Sequence, residues 1–182
     1  MKKILMFALV LAAATSQAQE KTVMVGGAAM YPSKNIVQNA INSKDHTTLV
    51  AAVKAAGLVD ALQGEGPFTV FAPTNQAFTL LPEGTVETLL KAENKAQLQG
   101  VLTYHVVSGN WDAQSLKDMI KKNNGKATIT TLSKDTLYAS LDEDGNVWLW
   151  DENGGKAKVT IANVYQKNGV IHVIDGVLVP KM

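Results

Sequence analysis

Three histidines, His46, His105 and His172, are the side chains best suited to proton transfer or metal binding near neutral pH. Their spacing supports neither role. No two lie four residues apart, as a helical pair of metal ligands would. There are no cysteines, which removes disulfides, thiolate metal sites and cysteine nucleophiles. No Gly-x-Ser-x-Gly elbow and no phosphate-binding glycine loop occurs. Acidic residues are plentiful, yet no pair can be assigned to acid–base catalysis. The sequence therefore gives no reason to expect an enzyme, a bound metal or a cofactor.

Two further groups could bind rather than react. Asp142-Glu143-Asp144-Gly145-Asn146 looks slightly like the start of a calcium loop. The twelfth position from Asp142 is Asn153, where a bidentate Glu would be needed, so an acidic turn is expected instead. Trp148 and Trp150 alternate along one strand and share a face. Burial against helices is the expectation for them. The alternative is an aromatic platform for a sugar ring or a partner surface.

The chain has 182 residues, enough for one ordinary domain. Lys2 and Lys3 precede an apolar run, Ile4 to Ala14, that is too short to span a bilayer. Ser16-Gln17-Ala18 follows with small residues where a signal peptidase reads. Residues 1–18 are expected to be a signal peptide cut after Ala18, making the protein secreted or periplasmic. Removal of that segment with its two lysines takes the formal charge from +1 to −1. A near-neutral chain has no general pull on nucleic acid, and no later stretch is apolar enough to span a membrane. Secretion without disulfides suits a bacterial periplasm or exterior.

Residues 19–34 read as an extended arm, and residues 35–182 as a single domain. Helices are expected over Asn35 to Ser43, from an Asp45 cap to Ala56 with Gly57 as its stop, from Thr74 or Asn75 to Leu80, over Thr85 to Ala92, over Lys95 to Thr103, and from Trp111 to Lys122 with Asp112 as cap. Leu58 to Leu62 reads as a turn. Phe68 to Ala72 is a strand with Phe68, Val70 and Ala72 on one face and Thr69 and Phe71 on the other. Strands dominate after Gly125: Thr128 to Leu132, Thr136 to Leu141, Val147 to Trp150, Lys158 to Val164, Val170 to Ile174 and Val177 to Val179. Helices gathered early and strands late indicate an α+β fold with a mostly antiparallel sheet or sandwich. Val170 to Ile174 is apolar on both faces, as a buried central strand is, so His172 is expected to be buried and hydrogen-bonded. Asp175-Gly176 reads as a hairpin turn after it.

Three motifs occur in order: Gly66-Pro67-Phe68-Thr69-Val70-Phe71-Ala72-Pro73-Thr74-Asn75-Gln76-Ala77-Phe78, then Tyr104-His105-Val106-Val107, then Asn168 to Pro180. Together they resemble the fasciclin-like domain family, over about Asn35 to Pro180. The resemblance implies a wedge-shaped β-sandwich with helices packed over it. It implies an extracellular cell-adhesion or interaction module that binds a cell-surface or matrix protein or a polysaccharide. A soluble binder of a glycan or small ligand through Trp148 and Trp150 is the alternative.

In the family, the Tyr-His pair is both a fold element and a proposed receptor-contact region, which carries over to Tyr104 and His105. From the sequence, the two are placed on a strand, with Tyr104 packing in the core beside Val106 and His105 holding loops through backbone hydrogen bonds. An acidic-residue-plus-isoleucine element of animal members matches Asn163 and Val164 here. The carboxylate is missing and no Arg-Gly-Asp occurs, so integrin recognition by that element is not expected.

Overall fold

The computed structural model describes residues 21–181, so the expected signal peptide lies outside the described residues. Two-residue alternation and turn residues account for most of the sheet. A short hairpin comes first, β1 (Val23–Val25) and β2 (Ala28–Met30). Seven strands then form one sheet in the order β4 (Val106–Ser108), β3 (Phe68–Pro73), β9 (Gly169–Ile174), β8 (Lys156–Gln166), β7 (Val147–Trp150), β6 (Thr136–Leu141), β5 (Lys126–Thr130). All neighbours in it are antiparallel except β3 and β9.

The long strand β8 joins the two halves of the sheet. Its start pairs with β7, and the remainder pairs with β9 across two register shifts, Val159/Ile161 and Ile161/Val164. Bulges bend a strand, and this bend folds the β5–β7 half over the β3–β9 half. Phe71, Val107 and Ile174 from one half meet Ala127, Leu137, Ala139 and Leu149 from the other, with Leu116 and Ile120 of α7 (Ala113–Lys122) closing the side. A second apolar cluster lies on the other face of the first half. There Val70, Ala72, Ile171 and Val173 pack on α1 (Ile36–Ala40), α2 (Thr47–Ala56) and α6 (Lys95–Tyr104). Alternation in β3 thus sends Val70 and Ala72 to the helices and Phe71 to the sandwich, as expected from sequence.

Local chemistry sets the helix ends. Asn35 and Gln38 form a reciprocal capping box at α1, and Gly57 ends α2 at φ 70°, a left-handed value that glycine adopts without strain. Thr74 caps α4 (Asn75–Thr79) and Asp112 caps α7. Gly169 is where the backbone approaches closest: a Cβ there would stand 1.9 Å from the Phe68 carbonyl oxygen. α5 (Thr85–Leu89) is shorter than expected.

Several expectations are corrected. Asp45 does not cap α2; it sits in a 3-10 turn, Lys44–His46, that runs straight into the helix. Leu58 to Leu62 is no turn: Val59–Gln63 forms α3, a single helical stretch after the Gly57 stop. The segment read as an arm is the β1–β2 hairpin, whose Val25 and Met30 are buried in the helix-side cluster. Tyr104 and His105 are not on a strand. Tyr104 ends α6 and His105 is its C-cap, so Tyr104 packs in the sandwich cluster while Val106 packs on the helix side. Val177–Val179 forms no strand and Asp175-Gly176 no hairpin. The Asp175 carboxylate instead accepts the Lys158 backbone N–H at 2.7 Å, and the chain leaves the sheet.

Candidate functional site

The strands β5 to β8 alternate strictly, which fixes what each face of that half-sheet shows. Ala127, Ala139, Leu149 and Ala157 sit opposite one another and point inward, where all are buried. The residues between them must point outward. They form two cross-strand rows: Lys126, Ser140, Trp148, Lys158, and Thr128, Tyr138, Trp150, Lys156. Trp148 and Trp150 are therefore half-exposed on the outer face. The expected burial against helices is overturned, because Val147 and Leu149 already occupy the inward positions of β7.

This outer face is held in place by polar contacts. Trp150 Nε1–H donates to Ser140 Oγ at 2.8 Å, and Trp148 Nε1–H donates to Asp142 Oδ2 at 3.0 Å. Lysine ammoniums stand over the rings: Lys126 is 4.0 Å from the Tyr138 centroid, and Lys156 is 5.4 Å from Trp148 and 5.8 Å from Trp150. Such distances permit cation–π attraction. Asp142 also accepts from Asn146 and faces Lys158 at 3.7 Å. Those hydrogen bonds, Asn146 first and then Trp148, hold its carboxyl well below the usual carboxylate range. The acidic turn is thus a bracket for Trp148, and among the described residues no cluster of His, Cys, Asp or Glu could hold a metal ion. Beside Trp150 lies a shallow depression lined by Lys126, Tyr138, Ser140, Asp151, Glu152 and Lys181.

The other candidate residues lie away from this face. Tyr104 is fully buried, and its hydroxyl donates to the Thr136 carbonyl at 2.6 Å. Burial, with Asp151 and Glu152 nearby, raises its pKa. His105 is buried too, with Nδ1–H donating to the Val101 carbonyl at 2.8 Å and Nε2 accepting the Leu178 N–H at 3.1 Å. Burial pushes this imidazole down to about 4. Asn163 occupies the β8 bulge at φ 60°, and its Oδ1 accepts the Ala113 N–H at the start of α7. Val164 beside it is completely buried. Tyr104, His105 and Val164 thus offer a partner no side-chain surface in this conformation, and the Asn163 amide is engaged within the fold.

The remaining histidines are also internal. His172 Nε2–H donates to the Trp111 carbonyl at 2.8 Å and its ring stacks on Phe71. His46 Nδ1 contacts Ser43 Oγ at 2.9 Å, and its buried Nε2 has no hydrogen-bond partner. Burial lowers the pKa of both. No histidine nitrogen is left at the surface for acid–base work.

A sequence model of the fasciclin domain matches residues 44–180, three quarters of the chain. The chain belongs to the fasciclin domain family. This fasciclin domain is 45% identical over 171 residues to protein sll1483 of Synechocystis, spanning 94% of this chain and 87% of that one. It is 32% identical to the immunogenic protein MPB70 of Mycobacterium bovis, over 78% of this chain and 66% of that one. It is also 32% identical to human periostin, over 79% of this chain and 16% of that much longer one. A solved FAS1 domain pair from the insect cell adhesion molecule fasciclin I shares the fold, with a TM-score of 0.71 at 20% identity, covering 81% of this chain and 51% of that one. Strands β1, β2 and helix α1 precede the matched segment, although Val25, Met30 and Ile36 belong to the same core.

The sequence singled out the two tryptophans but not Tyr138, Lys126, Lys156 and Lys158, which share their outward face. Their signal was present as two-residue alternation. It became legible only once the register placed them beside the indoles. Among the described residues, no helix is long and apolar enough to cross a membrane.

Proposed function

We propose that this fasciclin domain is a secreted, non-catalytic interaction module that promotes adhesion by binding a protein or polysaccharide of a cell surface or matrix. The observation that carries the reading is the outer face of β5–β8. Three aromatic rings and three lysines stand there on one face of a sheet whose inward residues are buried. Aromatic rings supply large contact area at low entropic cost, and lysines on the same face favour a partner with acidic or hydroxyl-rich groups. Family membership supports the adhesive role, since a protein with this fold is described as a cell adhesion molecule. One domain presents one such face, so retention on a surface gains from many copies.

A second reading, a soluble glycan binder, is favoured by the depression beside Trp150 with its mixed aromatic and polar walls. The test is a binding screen against immobilised matrix proteins, polysaccharides and intact producing cells, with soluble oligosaccharides as competitors. Retention on cells or a matrix supports the adhesion module. Binding confined to a free oligosaccharide supports the second reading, and no saturable binding anywhere contradicts both.

A further inference from the structure

On the helix side of the sheet, far from the aromatic rows, the core is not filled. A cavity of about 120 Å³ lies between α1, α2, α3 and the strands β3 and β4. Its walls include Val53, Phe68, Val70 and Leu102. Protein interiors normally leave few voids larger than a water molecule. A void of this size forfeits dispersion contacts for every side chain around it, and an occupant restores them.

Water is a poor occupant, because it needs two to four polar partners. The polar side chains lining the cavity are Lys54, Thr103 and His105. Both ring nitrogens of His105 are committed to Val101 and Leu178. The Thr103 hydroxyl donates to the Gln99 carbonyl at 2.7 Å. Lys54 of α2 and Ala61 of α3 both line the cavity and are both exposed, so the cavity reaches solvent at these residues. A dry cavity of about 150 Å³ lined by Leu, Ile and Phe is known to take benzene or xenon, so this one is of the size to hold a comparable group.

We infer that this cavity is a binding site for a small apolar group of about benzene size. The group is either a free apolar molecule or the hydrocarbon end of an amphiphile whose acidic head meets the Lys54 ammonium at the rim. The site is separate from the outer face of β5–β8, and stands or falls independently of the adhesion reading.

The experiment titrates benzene and, separately, hexanoate into the isotope-labelled protein and follows amide and methyl chemical shifts. Two filled variants are compared: Val50→Phe, which projects a ring from α2 into the cavity, and Ala61→Leu at the rim. Saturable shifts confined to the cavity walls are expected, with affinity at least tenfold weaker in a filled variant whose thermal midpoint is unchanged or raised. Ala61→Leu carries the comparison if Val50→Phe does not fold. Saturation by benzene alone identifies a free apolar ligand. Tighter binding of hexanoate, weakened by Lys54→Met, identifies an amphiphile tail. Failure of both probes to saturate, or affinity unchanged in the folded filled variants, overturns the inference.

Discussion

His105 Nε2 accepts the backbone N–H of Leu178 at 3.1 Å, joining the end of α6 to the C-terminal segment 73 positions later. Its Nδ1–H is spent on Val101 at the same time. Both donors and acceptors are satisfied only by a neutral ring with the proton on Nδ1. The ring is therefore a clip between the last turn of a helix and a segment that leaves the sheet.

Removing that clip leaves a buried N–H and a buried carbonyl unpaired and a hole in the packing. His105→Ala should cost roughly 2–4 kcal/mol of stability, read as a shift in urea midpoint. Partner binding by whatever fraction remains folded should be unchanged. A variant of full stability with lost binding would give His105 a contact role instead.

Acid should weaken the fold through the same group. The folded protein keeps His105 neutral down to about pH 4, whereas an unfolded histidine takes a proton near pH 6.5. Between those values the unfolded state binds the extra proton, so stability is full above about pH 6.5 and declines as pH falls toward 4. For His105 the loss is on the order of 3 kcal/mol, and His46 and His172, also lowered by burial, add to it in the same direction. Unfolding midpoints measured from pH 7.5 to 5 check this before the depressed carboxylates Asp112 and Asp142 contribute. A flat profile over that range contradicts the buried neutral histidines.

Phe71 and Ile171 are 1% and 2% exposed and lie in different clusters, one inside the sandwich and one under the helices. Phe71→Ala and Ile171→Ala should each cost about 2–5 kcal/mol. Losses near 0.5 kcal/mol in denaturant titrations would mean that the two-sided packing of β3 and β9 is wrong.

Asn168 ties three elements with one side chain. Its Oδ1 accepts the Ile36 N–H, and its Nδ2 donates to the carbonyls of Leu62 and Gly64, all within 3.0 Å. Asn168→Ala should cost roughly 2–4 kcal/mol, since three backbone groups lose their partner at once. Hydrogen exchange should rise first in α1 and α3. Unchanged protection there contradicts the role.

The central strands were legible in the sequence because their chemistry is one-dimensional. Alternation in Phe68–Pro73 and the two-sided apolar run of Gly169–Ile174 specify their faces without reference to anything distant. His105 was misplaced for a related reason. Tyr104-His105-Val106-Val107 reads as β-forming, yet α6 continues through Tyr104, with Leu98 and Leu102 docked in the helix-side cluster. Val177–Val179 also reads as a strand, but Asp175 binds back to β8 and Val179 N–H is taken by the buried Asp151 carboxylate, which leaves no partner strand. The tryptophan face was only half legible. The sequence put Trp148 and Trp150 on one strand face but expected that face to be covered by helices; that Val147 and Leu149 take the inward positions shows only in the fold, and the lysines above the rings come from β5 and β8 and depend on register.

The outer face of β5–β8 is the heart of the functional reading, and it can be altered without touching the core. The decisive measurement compares binding of the native protein and a Trp148→Ala/Trp150→Ala variant to immobilised cell-surface and matrix preparations, after circular dichroism shows that both are folded. The double variant should keep the fold at a cost of about 1–3 kcal/mol and lose at least ninety per cent of saturable binding. Undiminished binding by the folded variant would contradict this face as the contact surface.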